Sequence, residues 1–225
     1  MAYGFRIKQS WTRIDARMVG AFRELPVANV SDAMQRLPGF GPDFRPMHRT
    51  GVLAGPALTV RTRPGDNLML HKAIDMAEPG DVIVVDAGGD LTNSLMGELM
   101  LAHAIRRGVA GFVLGGAIRD AEAFLARNLP VYAQGITHRG PYRTGPGEIG
   151  FPIRLGAALV APGDLVLGDF DGVLSVPTDR AEQVLTATRA KNTAEQKQMA
   201  ATEAGTLDRA WVDQALRESG CEYLD

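Results

Sequence analysis

The stretch GELMLAHAIRRGVAGFVLGGAIRD, residues 97–120, decides how the chain is read. Leu99, Ala102 and Ile105 recur at helical spacing, so the spacing predicts a helix over 97–108. Arg106 and Arg107 fall in its last turn, where cations suit the helix dipole, and Gly108 can end it. VAGFVLGG (109–116) then reads as a buried strand, and RDAEAFLARN (119–128) as another helix. Working outward, DVIVVDAGG (81–89), LPVYAQG (129–135) and GVLAGPALTVRTR (51–63) read as strands, and NLMLHKAIDMAEPG (67–80) as a short helix closed by Pro79 and Gly80. Strands that alternate with helices predict an α/β protein with a largely parallel centre.

The flanks differ from this centre. RIDARMVGAFRELPVANVSDAMQRL (13–37) reads as helix, break at Pro26, helix, with Asn29 or Ser31 available as a cap. GFPIRLGAALVAPGDLVLGDFDGVLSVP (150–177) holds four or five short β-runs split by Gly, Pro and Asp, which makes the sheet mixed. Residues 178–205 form a long helix-favouring segment and 206–220 a last short helix, polar enough to pack on a neighbouring subunit. The expectation is one α/β domain over residues 1–225, with its core near 25–200 and helices at both ends.

Composition narrows the classes of function. Of 225 residues, 45% are hydrophobic, enough for one core, and the net charge is −2, which predicts no nucleic-acid footprint. Cys221 is the single cysteine, so no internal disulfide is possible, and a cytoplasmic protein is expected. MAYGFRIKQSWTRID (1–15) lacks the apolar core of a signal peptide, and no run approaches the ~20 apolar residues that span a bilayer.

Ligands of α/β sheets collect beyond the C-terminal strand ends. Two such ends carry chemistry: strand 81–86 is followed by Gly88, Gly89 and a loop leading to Gly97-Glu98, and strand 111–114 by Gly115, Gly116, Arg119 and Asp120. If the two strands are neighbours, one crevice holds a helix start with free N–H groups at 98–100, a guanidinium that grips a carboxylate, and Asp120 as a hard oxygen ligand for Mg²⁺ or Mn²⁺. Glu98 would hydrogen-bond the cation's waters. Plainer readings stand beside this one. Arg119-Asp120 also fits a surface pair with the aspartate at an N-cap, the Gly-Gly pairs fit turns, and Glu98 suits a first helical turn through its charge alone. Asp164, Asp169 and Asp171 do not match a calcium loop and fit β-turns. His48, His71, His103 and His138 show no metal-ligand spacing, and Cys221 has no evident base.

Residues 99–118, twenty of them, separate Glu98 from Arg119, giving the pattern Gly-(Asp/Glu)-x20-Arg-Asp. This resembles the RraA-like proteins, which include the class II 4-hydroxy-4-methyl-2-oxoglutarate/4-carboxy-4-hydroxy-2-oxoadipate aldolases. ANVSDAM, LAGPALTV, EPGDVIVVDAGG, GPYRTGPGEIGFPI and PGDLVLGDFDGVLSVP resemble that family in the same order, over roughly residues 25–200. The resemblance implies a swivelling β/β/α fold, similar to phosphohistidine domains, assembled as a homotrimer or homohexamer. It implies that pyruvate's carboxylate binds the amides of Gly97, Glu98, Leu99 and Met100 and the side chain of Arg119, that Asp120 carries a divalent metal, and that Glu195 of a neighbouring subunit orients a water on it. It implies a lyase that releases pyruvate from a small 4-hydroxy-2-oxo acid and also decarboxylates oxaloacetate. The aldolases carry Asp where this chain has Glu98. For the rest of the substrate, Arg143 and His138 are the candidates. Some family members are instead protein-binding regulators of a ribonuclease E-type enzyme, which is the alternative reading.

Overall fold

The run GFVLGGAI (111–118) is buried at every position, and the sheet is built around it. A computed structural model describes residues 4–37 and 39–224; Met1, Ala2 and Tyr3, part of the segment read as lacking a signal peptide, lie outside them. The elements in chain order are β1 (Phe5–Ile7), α1 (Ala16–Arg23), α2 (Val27–Ala33), β2 (Arg45–Pro46), β3 (Leu53–Thr62), α3 (Leu68–Met76), β4 (Val82–Met96), α4 (Glu98–Arg106), β5 (Gly111–Ile118), α5 (Ala121–Arg127) and β6 (Val131–Ile136). They continue with β7 (Gly147–Ile149), β8 (Ile153–Leu155), β9 (Ala158–Val160), β10 (Leu165–Asp169), β11 (Gly172–Val176), a 3₁₀ turn (Thr178–Arg180), α6 (Ala181–Glu203) and α7 (Ala210–Glu218).

The sheet is mixed, as expected. Strands β3, β4, β5 and β6 lie side by side and parallel. β7 runs antiparallel to β3, and β2 antiparallel to β6. β3 serves three partners: Ala57–Arg61 pairs with β4, Val60–Thr62 with β7, and Leu53–Pro56 antiparallel with β10. The alternation of side chains explains why the central strands read as unbroken apolar runs. Ile83 and Val85 face α3 and α4, together with Leu70, Ile74, Leu101 and Phe112. Val82 and Val84 face the other way, onto Phe40, Tyr132, Ile153 and Val160. Both faces are covered, so both sets are apolar. A third cluster packs Phe22, Val30, Val184 and Leu185 of α1, α2 and α6 against β10 and β11. Among the described residues no helix is long and apolar enough to cross a membrane.

Several local expectations are corrected. Asn29 and Ser31 do not cap α2; they lie inside it, and Pro26 occupies the N-cap position with no side-chain cap. β4 does not end near residue 89 but continues to Met96, shifting register three times as Asp86, Asp90, Ser94 and Met96 pair with the consecutive Gly115, Gly116, Ala117 and Ile118. Gly115 and Gly116 therefore do not form a turn. They lie inside β5, where a Cβ on Gly116 would come within 2.8 Å of the Leu95 side chain. The buried face of α4 is Met100, Leu101 and Ala104, while Leu99 and Ile105 point outward. Helical spacing marks a face without saying whether that face meets the core.

His48 joins β2 to β6. Val131 N–H donates to its Nδ1 at 3.2 Å, its ring stands edge-on to Tyr132, and its Nε2 has no partner among the described residues. Burial holds its pKa below the usual histidine value. The sign follows from linkage. Below about pH 6.5 the unfolded chain takes up a proton that the folded chain resists, so stability falls as pH falls through that region. Urea unfolding at pH 7.5 and 5.5 should show a lower midpoint at the acid pH. A flat profile would mean that the folded protein accommodates the imidazolium.

Candidate functional site

Because β4 and β5 are parallel neighbours, their C-terminal ends open on the same edge. Met96 and Ile118 are paired there, and Arg119 N–H donates to Met96 C=O at 2.9 Å. α4 starts immediately after β4, with Gly97 as its N-cap residue, and α5 starts immediately after β5, with Asp120 as its N-cap residue. Asp120 adopts a left-handed conformation (φ 57°) and gives α5 no side-chain cap. Its carboxylate turns to the neighbouring helix instead, where Glu98 N–H donates to Oδ2 at 2.9 Å. The N-cap position expected of Asp120 is therefore real, but the helix it caps is α4.

The approach explains Gly97. Its backbone is extended (φ −138°), a conformation any residue adopts. Space is what excludes a side chain: a Cβ would lie 2.5 Å from Asp120 Oδ2 and 3.0 Å from Arg119 Nε. Gly97, Glu98, Arg119 and Asp120 are thus brought together as the sequence suggested. Leu99 and Met100, in the first turn of α4, carry N–H groups with no acceptor within the helix. The Glu98 N–H differs from expectation, since it is already given to Asp120. The Glu98 carboxylate accepts from Arg127 Nη2 at 2.8 Å, across to the last turn of α5.

A pocket of about 210 Å³ opens at this edge. Gly97, Leu99, Met100 and Arg119 line one side, Asn67, His71 and Arg143 another. Arg143 thus reaches the pocket, whereas His138 is exposed and lines no part of it. Asn67 and His71 escaped the sequence reading, because neither stands in a recognisable spacing. Asn67 Nδ2 donates to Leu95 C=O at 2.9 Å and lies 3.3 Å from Met100 Sδ, which fixes the amide's orientation. That leaves Asn67 Oδ1, and likewise His71 Nε2, buried without a partner among the described residues. Burial, and next the Arg143 charge, hold the His71 pKa below the usual value, so its ring is neutral at pH 7.

The wall bearing Arg143 is fixed by Asp66, whose side chain is fully buried. Its carboxylate accepts from the N–H groups of Leu68 (2.9 Å), Thr144 (2.7 Å) and Gly145 (2.9 Å). Burial alone would raise its pKa, but these three bonds and the Thr144 hydroxyl outweigh it and hold the pKa below the ordinary carboxylate value.

The donor set suits a hard cation. Asp120 Oδ1 has no hydrogen-bond partner among the described residues, and the Glu98 carboxylate lies on the adjacent helix start. No three His, Cys, Asp or Glu side chains converge among the described residues. A metal held here would take the Asp120 carboxylate and complete its shell with water and ligand oxygens, the habit of Mg²⁺ and Mn²⁺. Glu195 is not drawn to this edge by its own chain. It pairs with Lys191 at 2.9 Å, and Lys191 pairs with Asp32 of α2.

The fold and the site together define a mixed α/β protein with an arginine-lined pocket where two parallel strands end and two helices begin. Residues 27–175 match the RraA-like family, described as aldolase/RraA, and the chain belongs to that family. It is 38% identical over 199 residues to a protein of Halalkalibacterium halodurans provisionally named 4-hydroxy-4-methyl-2-oxoglutarate aldolase, covering 88% of this chain and 95% of that one. Among solved structures it is similar to an uncharacterized protein from Pseudomonas syringae, with a TM-score of 0.79, 25% identity, and coverage of 88% of this chain and 97% of the other. It is also similar to RraAS2 of Streptomyces coelicolor, an unusual member of the RNase ES inhibitor RraA protein family, with a TM-score of 0.75, 26% identity, and coverage of 83% and 98%.

Two substitutions test this construction. Gly97→Ala should leave the fold intact but push Arg119 and Asp120 out of place; with pyruvate as a small carboxylate probe of the pocket, isothermal titration calorimetry should show binding weakened by roughly tenfold, about 1.4 kcal/mol. Asp66→Ala strands several buried donors and should cost at least about 3 kcal/mol in urea unfolding.

Proposed function

We propose that this protein is a divalent-metal-dependent lyase that cleaves a 4-hydroxy-2-oxo acid, such as 4-hydroxy-4-methyl-2-oxoglutarate, to pyruvate, and that the same site decarboxylates oxaloacetate. The observation that carries this reading is the bond from Glu98 N–H to Asp120 Oδ2, with Arg119 beside it. It ties the start of α4, which lines the pocket with Arg119, to Asp120, the residue proposed to hold the cation. The relative named as an aldolase supports the same chemistry.

The substrate's C1 carboxylate binds the N–H groups of Leu99 and Met100 and the Arg119 guanidinium, where the helix dipole and a fixed cation both favour an anion. Asp120 would hold Mg²⁺ or Mn²⁺, which when bound would supply Lewis-acid polarisation of the 2-oxo group. Cleavage removes the proton of the C4 hydroxyl and breaks the C3–C4 bond. The bonding electrons pass into the pyruvate enolate, which then takes a proton at C3. Arg119 offsets the enolate's charge. Glu98, oriented by Arg127, orders the water that relays the proton, and Glu195 of a second copy approaches from the other side. Oxaloacetate would pass through the same enolate on losing CO₂. None of the four lysines, Lys8, Lys72, Lys191 and Lys197, lines the pocket, so a Schiff-base route has no amine there.

The contribution from a second copy rests on a homotrimer or homohexamer. Leu99 beside the pocket is 84% exposed, and no residue of α7 is buried, although it presents Trp211 and Leu216 on the surface. Both observations suit surfaces covered on assembly. The alternative, a protein-binding regulator of a ribonuclease E-type enzyme, draws on the likeness to RraAS2.

The test is pyruvate release from 4-hydroxy-4-methyl-2-oxoglutarate and from oxaloacetate, with Mg²⁺ or Mn²⁺ and again with chelator. Turnover should need the metal and fall by about 10²- to 10³-fold in Asp120→Ala and Arg119→Ala, the scale of removing a transition-state charge contact. Turnover that survives chelation overturns the metal mechanism. No turnover, with tight binding to the ribonuclease, establishes the regulator.

A further inference from the structure

A buried ring nitrogen left without a partner is costly in a folded protein, and His71 carries one. His71 lines the pocket, and its Nε2 is buried with no hydrogen-bond partner among the described residues. The residue is firmly placed. His71 N–H donates to Asn67 C=O at 3.0 Å in the first turn of α3. The Asn67 side chain is tied in turn to Leu95 C=O at the end of β4 and lies against Met100 Sδ at the start of α4. The backbone that carries the imidazole is therefore joined to the same strand end and helix start that present the Leu99 and Met100 N–H groups.

The ring suits proton movement. It is neutral at pH 7, because burial first and the Arg143 charge next disfavour the imidazolium. A neutral ring nitrogen can accept a proton, and an imidazolium formed in that setting gives it up readily. A way to solvent lies along α3. Asp75 follows His71 by four residues and so stands on the same side of the helix. Its Oδ1 lies 2.9 Å from His103 Nε2 on α4, and Arg107 Nη2 donates to Asp75 C=O at 2.9 Å. Asp75 and His103 are both exposed. Both are near enough for His71 to feel their charge: Asp75 favours its imidazolium and a charged His103 opposes it.

We infer that His71 is an acid–base residue of this pocket: its Nε2 takes a proton from C3 of a bound 2-oxo acid and returns one there. With pyruvate bound, loss of a C3 proton to Nε2 leaves the enolate. The imidazolium exchanges its proton with solvent past Asp75 and His103, then delivers one back to C3. In cleavage, which rests on the proposed lyase reading, the same ring closes the proton balance. The proton of the C4 hydroxyl passes through the water ordered by Glu98 to Nε2. The electrons of the C3–C4 bond form the enolate, and the imidazolium gives that proton to C3. No net proton is gained or lost, and the ring ends neutral, as it began.

Pyruvate in D₂O, with the full chain and Mg²⁺, separates this step from bond cleavage. The methyl signal in proton NMR should decay as deuterium enters C3. His71→Gln should slow that exchange by about 10²- to 10⁴-fold, the range of general acid–base catalysis, and far more than it weakens calorimetric pyruvate binding. Added imidazole should restore part of the exchange in His71→Ala, with thermal melts confirming that the variant is folded. Four outcomes overturn the inference: no exchange in the unsubstituted protein, full exchange in His71→Gln, exchange lost only in step with binding, or a folded His71→Ala that imidazole does not restore. Pyruvate release from 4-hydroxy-4-methyl-2-oxoglutarate, followed in parallel, tells the two readings apart. Exchange that depends on His71 without any release sinks the lyase reading and leaves His71 in its role; release together with full exchange in His71→Gln does the reverse.

Discussion

Everything at this site depends on one hydrogen bond between two helix starts, from Glu98 N–H to Asp120 Oδ2. It requires β4 and β5 to end in register, since one residue of slip would turn the Arg-Asp pair to the other face of the sheet. It also requires glycine at 97, because the carboxylate occupies the space a side chain would take. The bond divides the labour of Asp120 as well. One oxygen is committed to the protein and fixes the carboxylate's position, while the other is free for a ligand. The left-handed backbone of Asp120 is the local cost of this arrangement, on the order of 1 kcal/mol, borne by the surrounding structure.

The charges around the pocket are distributed unevenly, and the unevenness is informative. Asp66, the most deeply buried carboxylate here, is saturated by backbone N–H groups and acts on structure alone. Arg119 and Arg143, by contrast, are left nearly free of counter-charge. A protein interior tolerates an unneutralised cation only where water or a ligand can reach it. The same loop therefore joins a satisfied anion in the core to an unsatisfied cation at the surface, and the first fixes where the second points.

How much was legible in the sequence follows the range of the interactions. The buried central strands could be read because both faces of the sheet are covered and the runs are apolar throughout. The Arg119-Asp120 junction could be read because it lies where a strand passes into a helix, and Gly97-Glu98 because it opens a helix; that the preceding strand runs on to Met96 could not. Local pattern failed where a distant partner decides the outcome. Gly115-Gly116 has the composition of a turn, yet Leu95 packs closely enough that the strand needs glycine there. The outer face of α4 shows the same apolar spacing as an inner one. Asn67, His71 and Asp66 carry no motif, since their meaning comes from Leu95, Met100, Thr144 and Gly145, residues far along the chain that the fold brings beside them.

The glutamate at position 98, where the aldolases carry aspartate, is intelligible in the same terms. α5 holds Glu98 at both of its ends: Asp120, at the start of α5, takes the backbone N–H, and Arg127, in its last turn, takes the carboxylate. An aspartate would keep the first bond, because that bond uses only the backbone. It would lose the second, because the side chain is shorter by a methylene and the contact to Arg127 is already 2.8 Å. Glu98 and Arg127 thus work as a pair in this chain. The longer side chain reaches Arg127 in the last turn of α5 through one carboxylate oxygen. The position of the Glu98 carboxylate is therefore set by α5 as well as by α4.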